Sequence, residues 1–347
     1  MKRRLFVIAL VMALCLCLTG CKSSDYKKAV GLQEAGDFQA AADLFQALGD
    51  YQDSASRLGT CHDYINYNNA VTLQEEGDYQ AAAALFTALG DFEDSASRLG
   101  TCNDYIAAIQ AYNEAVAGLS EKNNALDAAI ESAEAVAYSE AKSLDETLRP
   151  TLETAISETK ATKVEAPDLP GDLAAINEAT EQLAGVDYTT VLESLSEKQD
   201  ALDRSMRQYA LVDNPDESYV ITCLGRVPGV IDIAAATEDN DPNGQLHKAG
   251  GYTAAVYFSH ENVNQSSVYG TSLIDKGTAA GGQVEVYATP EDAAKRDTYL
   301  ASFDGTVFSS GSHIVIGTCV IRTSDELNAS QQNELTANII AELTRLD

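Results

Sequence analysis

Apolar residues recur every third or fourth position from about residue 26 to 212, and every second position beyond Asn214. The first rhythm is that of helices with one buried face, the second that of strands. Within the helical part, Ala41, Leu44, Phe45 and Leu48 fall at i, i+3, i+4 and i+7, and the same stripe returns at Ala82, Leu85, Phe86 and Leu89. The return is an internal repeat: residues 26–65 align with residues 67–106 at an offset of 41, with about three quarters of the positions identical. Gly36 and Gly77 suit the left-handed position that ends a helix, and Asp37 and Asp78 can cap the next one. Gly49 and Gly90 end that short helix, and Asp53-Ser54 and Asp94-Ser95 offer N-caps to a longer one. Each unit is therefore predicted to be a helical hairpin: a long helix, a Gly-Asp turn and a short helix.

Residues 107–212 read as helix almost throughout, rich in Ala, Glu, Leu, Ser and Thr. One stripe runs through Leu119, Leu126, Ile130 and Ala133; a second runs through Leu144, Leu148, Leu152, Ile156 and Thr159, with Pro150 as a kink or break. After the break at residues 167–172, Leu173, Ile176, Thr180 and Leu183 mark a third. Tyr188, Val191, Leu192, Leu195, Gln199, Leu202, Met206 and Tyr209 form the most regular stripe in the chain. Antiparallel helices with these faces predict a three- or four-helix bundle, and a leucine stripe of this kind is ordinary core. Beyond Asn214-Pro215, residues 216–224 fit a capped helix or a strand, residues 230–235, 252–258, 284–288 and 313–322 read as strands, and residues 290–303 and 329–343 as helices. That order predicts an α+β domain, its mainly antiparallel sheet covered on one face by helices. The fold class is thus multidomain: an all-α N-terminal part of hairpin repeats plus a bundle, then the α+β domain. The predicted boundaries are 26–118 for the repeats, 119–212 for the bundle and 216–347 for the α+β domain.

The N-terminus follows another pattern. Lys2, Arg3 and Arg4 precede an apolar run over residues 5–18, too short for the roughly 20 residues needed to cross a bilayer but long enough for a signal-peptide core. The run closes on Leu18-Thr19-Gly20-Cys21. That order resembles the lipobox of bacterial lipoproteins, and the resemblance implies cleavage of residues 1–20 and acylation of Cys21, leaving residues 21–25 as a lipidated tether. Two acyl chains anchor stably where one binds only marginally. An ordinary signal peptide followed by an unrelated cysteine, or an uncleaved N-terminal anchor, is the alternative. The lipoprotein reading places the chain on the extracytoplasmic side of a cell membrane.

Charge and cysteines narrow the picture further. The 53 acidic against 23 basic residues leave a net charge of −30, which repels nucleic acid and anionic headgroups. Of seven cysteines, Cys15 and Cys17 leave with the leader. Cys61 and Cys102 hold equivalent repeat positions and read as buried free thiols. Cys223 and Cys319 are the pair to test for a disulfide. The absence of Trp argues against a carbohydrate-stacking platform, although sixteen Tyr remain.

Gly36-Asp37-Phe38, Ala41 and Phe45, with Gly77-Asp78-Tyr79, Ala82 and Phe86, resemble the second helix of the tetratricopeptide repeat. The period of 41 is longer than that family's 34, by close to two helical turns. The resemblance covers about residues 25–118 and implies a surface for a peptide or protein partner; a spacer or dimerisation element is the equal alternative. Two copies need a further neighbour, from the helix at 95–118 or a second chain. The C-terminal pattern, with residues 238–244, Gly251-Tyr252 and Arg322-Thr323-Ser324, is similar to an α+β domain of bacterial surface lipoproteins, which implies location and no mechanism.

Motifs for chemistry are sparse. Asp239, Asp241, Asn243, Gly244 and Leu246 match positions of a calcium loop, but Gly250 stands where a bidentate Glu belongs, and Asp241-Pro242-Asn243-Gly244 reads better as a turn. His62, His247, His260 and His313 sit in no catalytic pattern, and residues 309–313 lack the Gly-x-Ser-x-Gly of a nucleophile elbow. Gly281-Gly282 reads as a turn or bulge and not a phosphate loop. No catalytic, cofactor or metal residue is predicted; Cys21 is the one modified position. The reading is a membrane-anchored lipoprotein serving as a protein-interaction scaffold at the bacterial envelope, with an unidentified envelope protein or peptide as partner. An adhesin-like bundle, or a ligand-binding protein or hydrolase acting through the C-terminal domain, are the alternatives.

Overall fold

The computed structural model describes residues 22–306 and 311–346. The chain is an all-α N-terminal part followed by an α+β domain, and it divides into two compact units. Among the described residues, the first combines residues 22–122 with Val164–Val186; the second combines Asn123–Lys163 with residues 187–306 and 311–346.

In the first unit, α1 (residues 22–34), α2 (Phe38–Leu48), α3 (Ser54–Glu75), α4 (Tyr79–Leu89) and the start of α5 (Ser95–Ala137) alternate long and short as the repeat predicts. Gly36 and Gly77 adopt φ of +84° and +86°, where a side chain would be strained. Asp37 and Asp78 then accept the backbone N–H groups of Ala40 and Ala81 at 3.1 and 3.0 Å. Phe45 and Phe86 are fully buried in matching cores that also hold the free thiols of Cys61 and Cys102.

Asp53 stands at the N-cap of α3 but makes no side-chain capping bond. Its carboxylate is drawn instead into a clamp. The Tyr26 hydroxyl donates to Asp53, while Arg57 donates to Asp53 at 3.0 Å, to Tyr26 at 3.2 Å and to Gln33 at 2.8 Å. Tyr67, Asp94, Arg98 and Gln74 repeat the arrangement one period later. Each clamp ties one long helix to the next, which explains why four polar positions recur with the apolar ones.

The next helices are α6 (Leu148–Ala161), α7 (Leu173–Ala184) and α8 (Thr189–Leu211). Although α7 carries a bundle-like stripe, it belongs to the repeat unit: Ile176, Ala179 and Leu183 bury against Ala108, Tyr112 and Leu119 of α5. Ala108 and Tyr112 lie 41 residues after Tyr67 and Val71, the positions that share a core with α4. The face that a third short helix would cover is thus covered by α7. The Tyr112 hydroxyl donates to the Pro167 carbonyl, and Lys122 Nζ donates to the carbonyls of Ala184 and Val186 at 3.0 and 2.6 Å. A cation there satisfies helix-end carbonyls and complements the negative end of the helix dipole.

In the second unit the end of α5 accompanies α6 and α8, with Leu126, Ile130, Leu152, Ile156, Leu195 and Leu202 buried. Ion pairs Lys160–Glu134 (2.6 Å) and Lys163–Asp127 (2.7 Å) join α6 and the residue range just after it to α5. Pro150 does not kink a helix: it is the third residue of α6, where its missing N–H has no intrahelical partner to lose. Leu144 lies before α6 rather than within it.

The α+β part opens with α9 (Glu217–Leu224), capped by Asp216. The strands are β1 (Val230–Ala235), β2 (Tyr252–His260), β3 (Gly281–Tyr287), β4 (Ser312–Ile316) and β5 (Cys319–Thr323), in antiparallel order β1-β2-β3-β5-β4. Residues 313–322, predicted as one strand, are a hairpin, because Gly317 takes φ +59° and turns the chain back within two residues. The short α10 (Leu273–Lys276), α11 (Pro290–Ala301) and α12 (Ala329–Leu343) complete the chain. Helices cover both sheet faces, not one. Ala254, Val256 and Phe258 share a core with α9 and α12, while Ala255 and Tyr257 share another with α10 and α11. Gly281-Gly282 is strand, not turn: a Cβ on Gly282 would sit 2.3 Å from the Phe258 ring and 2.4 Å from the Arg322 carbonyl.

Candidate functional site

The repeat unit carries an open groove of about 690 Å³ where α4 begins beside α5. Ile106, Ile109, Gln110, Asn113, Glu114 and Ala117 line it from α5, one face of a helix at i, i+3, i+4, i+7, i+8 and i+11. The turn into α4 supplies Asp78, Tyr79 and Gln80. Tyr79 is held in place by stacking on Tyr105 at 4.2 Å, as Phe38 stacks on Tyr64 at 4.2 Å in the first copy. Burial and the neighbouring Tyr105 raise the Tyr79 phenol above its usual range, so it remains a neutral hydrogen-bonding group.

The floor of the groove is apolar and its rim carries amides and carboxylates. Asp78 is committed to capping α4, and Glu114 accepts from Gln110 at 3.1 Å. The lining contains no lysine, arginine, serine, cysteine or histidine. Such a groove can hold apolar side chains and receive cations or amide donors at its edge.

The second unit holds a buried polar layer on the α11 side of the sheet. Glu285 of β3 is fully buried and receives Arg296 through two bonds of 2.8 Å, Arg322 at 3.2 Å and the Tyr287 hydroxyl at 2.8 Å. Arg322 also donates to Gln283 at 3.2 Å, and the Gln283 amide nitrogen is buried without a partner. Both carboxylate oxygens are engaged, so the cluster serves to fix α11 and β5 against β3. Chain-alone reasoning missed Glu285 because it alternates with Val284 and Val286, a pattern that normally puts the polar residue in water.

Residues 238–246 form the turn that Asp241-Pro242-Asn243-Gly244 suggests. The Asp241 carboxylate accepts the backbone N–H groups of Asn243 (3.1 Å), Gln245 (2.6 Å) and Leu246 (2.9 Å), and the Tyr252 hydroxyl. Burial raises the Asp241 carboxyl, but these bonds outweigh it and hold the group below the ordinary carboxylate range. Among the described residues no three His, Cys, Asp or Glu side chains converge as a metal site. His313 bridges Asp297 at 2.6 Å and Asp304 at 3.3 Å, and His247 meets Glu238 at 2.9 Å. Cys223 and Cys319 are free thiols in one core, and burial pushes Cys319 up to about 12.

Residues 1–20 and Cys21 lie outside the described residues. No described helix is long and apolar enough to cross a membrane. Compared with protein families, curated proteins and solved structures, the chain matches none.

Proposed function

We propose that this protein is a lipid-anchored lipoprotein on the extracytoplasmic side of a bacterial membrane, tethered through Cys21, and that it serves as a protein-interaction scaffold. The observation that carries the scaffold reading is the groove between α4 and α5. It has an apolar floor at Tyr79, Ile106 and Ile109 and a rim without a single cation. It suits a peptide segment that lays apolar side chains on the floor and brings lysine, arginine or amide groups to the rim. The tetratricopeptide-like sequence of the repeats and the basic-then-apolar leader ending at Cys21 support the same reading.

A photo-crosslinking amino acid placed at Ile109 in the full-length protein in its own cells tests it. The expected result is a discrete adduct with one envelope protein, lost when Ile106 and Tyr79 are both replaced by Asp while the helical circular dichroism is kept. Labelling no stronger than from the exposed Asp104 on α5, which lies outside the groove, would remove the scaffold reading.

A further inference from the structure

The two edges of the sheet are treated differently. At one edge, β1 pairs irregularly with β2 between Val230 and Ile233, and it carries Asp232, whose N–H is taken by the Ser259 hydroxyl at 3.1 Å. Bulges and charges of this kind blunt an edge against further pairing. At the other edge, β4 reads Ser-His-Ile-Val-Ile, with no Pro, no Lys and unbroken register against β5. Ile314 on it is 43% exposed. The two-residue turn closes on Ile316 and Cys319 as a hydrogen-bonded pair, so the N–H and C=O groups of His313 and Val315 face outward. Among the described residues no strand pairs with β4 on its outer side, and an open apolar edge is a template for another strand.

Beside this edge lies a groove of about 930 Å³, bordered by Val315, Ile316 and Pro290. Glu140, Glu146, Glu153 and Glu291 line it, and none has an ion-pair partner among the described residues. The two cations in its wall are occupied. Arg149 donates to the carbonyls of Ala137, Ser139 and Ala141, and Lys142 lies 5.7 Å from the centre of the Tyr209 ring. With four carboxylates against these two cations, the space next to the open strand is net acidic.

We propose that β4 is a docking edge for an extended peptide of another protein, which adds to the sheet as a sixth, antiparallel or parallel strand and presents lysine or arginine side chains to the four carboxylates. Backbone bonds to His313 and Val315 supply affinity, and the carboxylates select a basic sequence. A second copy of this chain is disfavoured as occupant, because it would bring the same acidic wall against this one. The site is separate from the repeat groove and does not depend on it.

Fluorescence anisotropy on the full-length protein tests this, with a labelled peptide alternating Val and Lys and a matched one alternating Val and Glu. The Val-Lys peptide is expected to bind saturably, more weakly as salt rises, and the Val-Glu peptide not to bind. Val315→Pro removes an outward N–H while leaving the bonds to β5, a change tolerated on edge strands, and should weaken binding at least tenfold. Ile314→Lys, which keeps the backbone intact, should weaken it as well, and hydrogen exchange over residues 312–316 should slow when the Val-Lys peptide is added. Equal binding of both peptides, binding of neither, or binding untouched by both substitutions would overturn the proposal. So would a dimer in sedimentation that Val315→Pro disperses, since the occupant would then be a second copy.

Discussion

Replacing Glu285 with Ala strips the negative charge from a layer that keeps both its cations. The side chains of Arg296 and Arg322 are only 15% and 10% exposed, so each keeps little solvation to replace the lost carboxylate. Breaking a buried pair by removing one partner costs about 3–5 kcal/mol, because the remaining charge is left uncompensated. Against a typical total of about 5–15 kcal/mol, that is a large fraction. With a urea dependence of about 2 kcal/mol per molar, the unfolding midpoint of Glu285→Ala should fall by about 2 M. A triple variant with Glu285→Leu, Arg296→Met and Arg322→Leu removes every charge in the cluster and should recover most of the loss. Urea melts followed by tyrosine fluorescence decide the matter. A shift under about 0.5 M for Glu285→Ala would mean that the layer is hydrated and that the burial argument fails.

Other expectations are equally open to measurement. Asp241 titrates below its unfolded value near 3.9, so its stabilising effect is complete above that value and is lost as pH falls through the lower folded value. Asp241→Asn should therefore flatten the loss of melting temperature below about pH 4; parallel profiles for the two proteins would contradict this. The thiols of Cys61, Cys102, Cys223 and Cys319 should resist alkylation until denaturant is added, and peptide mapping should find no Cys223–Cys319 disulfide. Lys122→Met leaves the Ala184 and Val186 carbonyls without their cation, so hydrogen exchange should quicken across residues 173–186 and not across α2.

The repeat was legible because its residues do their work locally. Gly36 and Asp37 end one helix and start the next within a few residues, and Ala41, Leu44, Phe45 and Leu48 define a face without reference to distant chain. The α7 stripe was legible as a face but not as a location, since Leu173, Ile176 and Leu183 say nothing about which helix they meet. The hairpin at Gly317 carried its signal in a single glycine inside a continuous β-branched run. Glu285 was hidden for a different reason: alternation reports two faces, and only the tertiary placement of α11 makes the second one dry. The clamp residues Tyr26, Gln33, Asp53 and Arg57 could have been found, because polar positions preserved between two copies of one chain need a shared reason.

Placement at a membrane underlies the proposed role, and it rests on Cys21. Intact mass of the protein extracted from membranes, beside a Cys21→Ala variant, tests it most directly. The expected result is a mature chain that begins at Cys21 and carries added acyl mass, with the variant released to the medium or left with residues 1–20 attached. A chain from membranes with an unmodified Cys21 would contradict the anchor and leave the repeat groove without its place at the envelope.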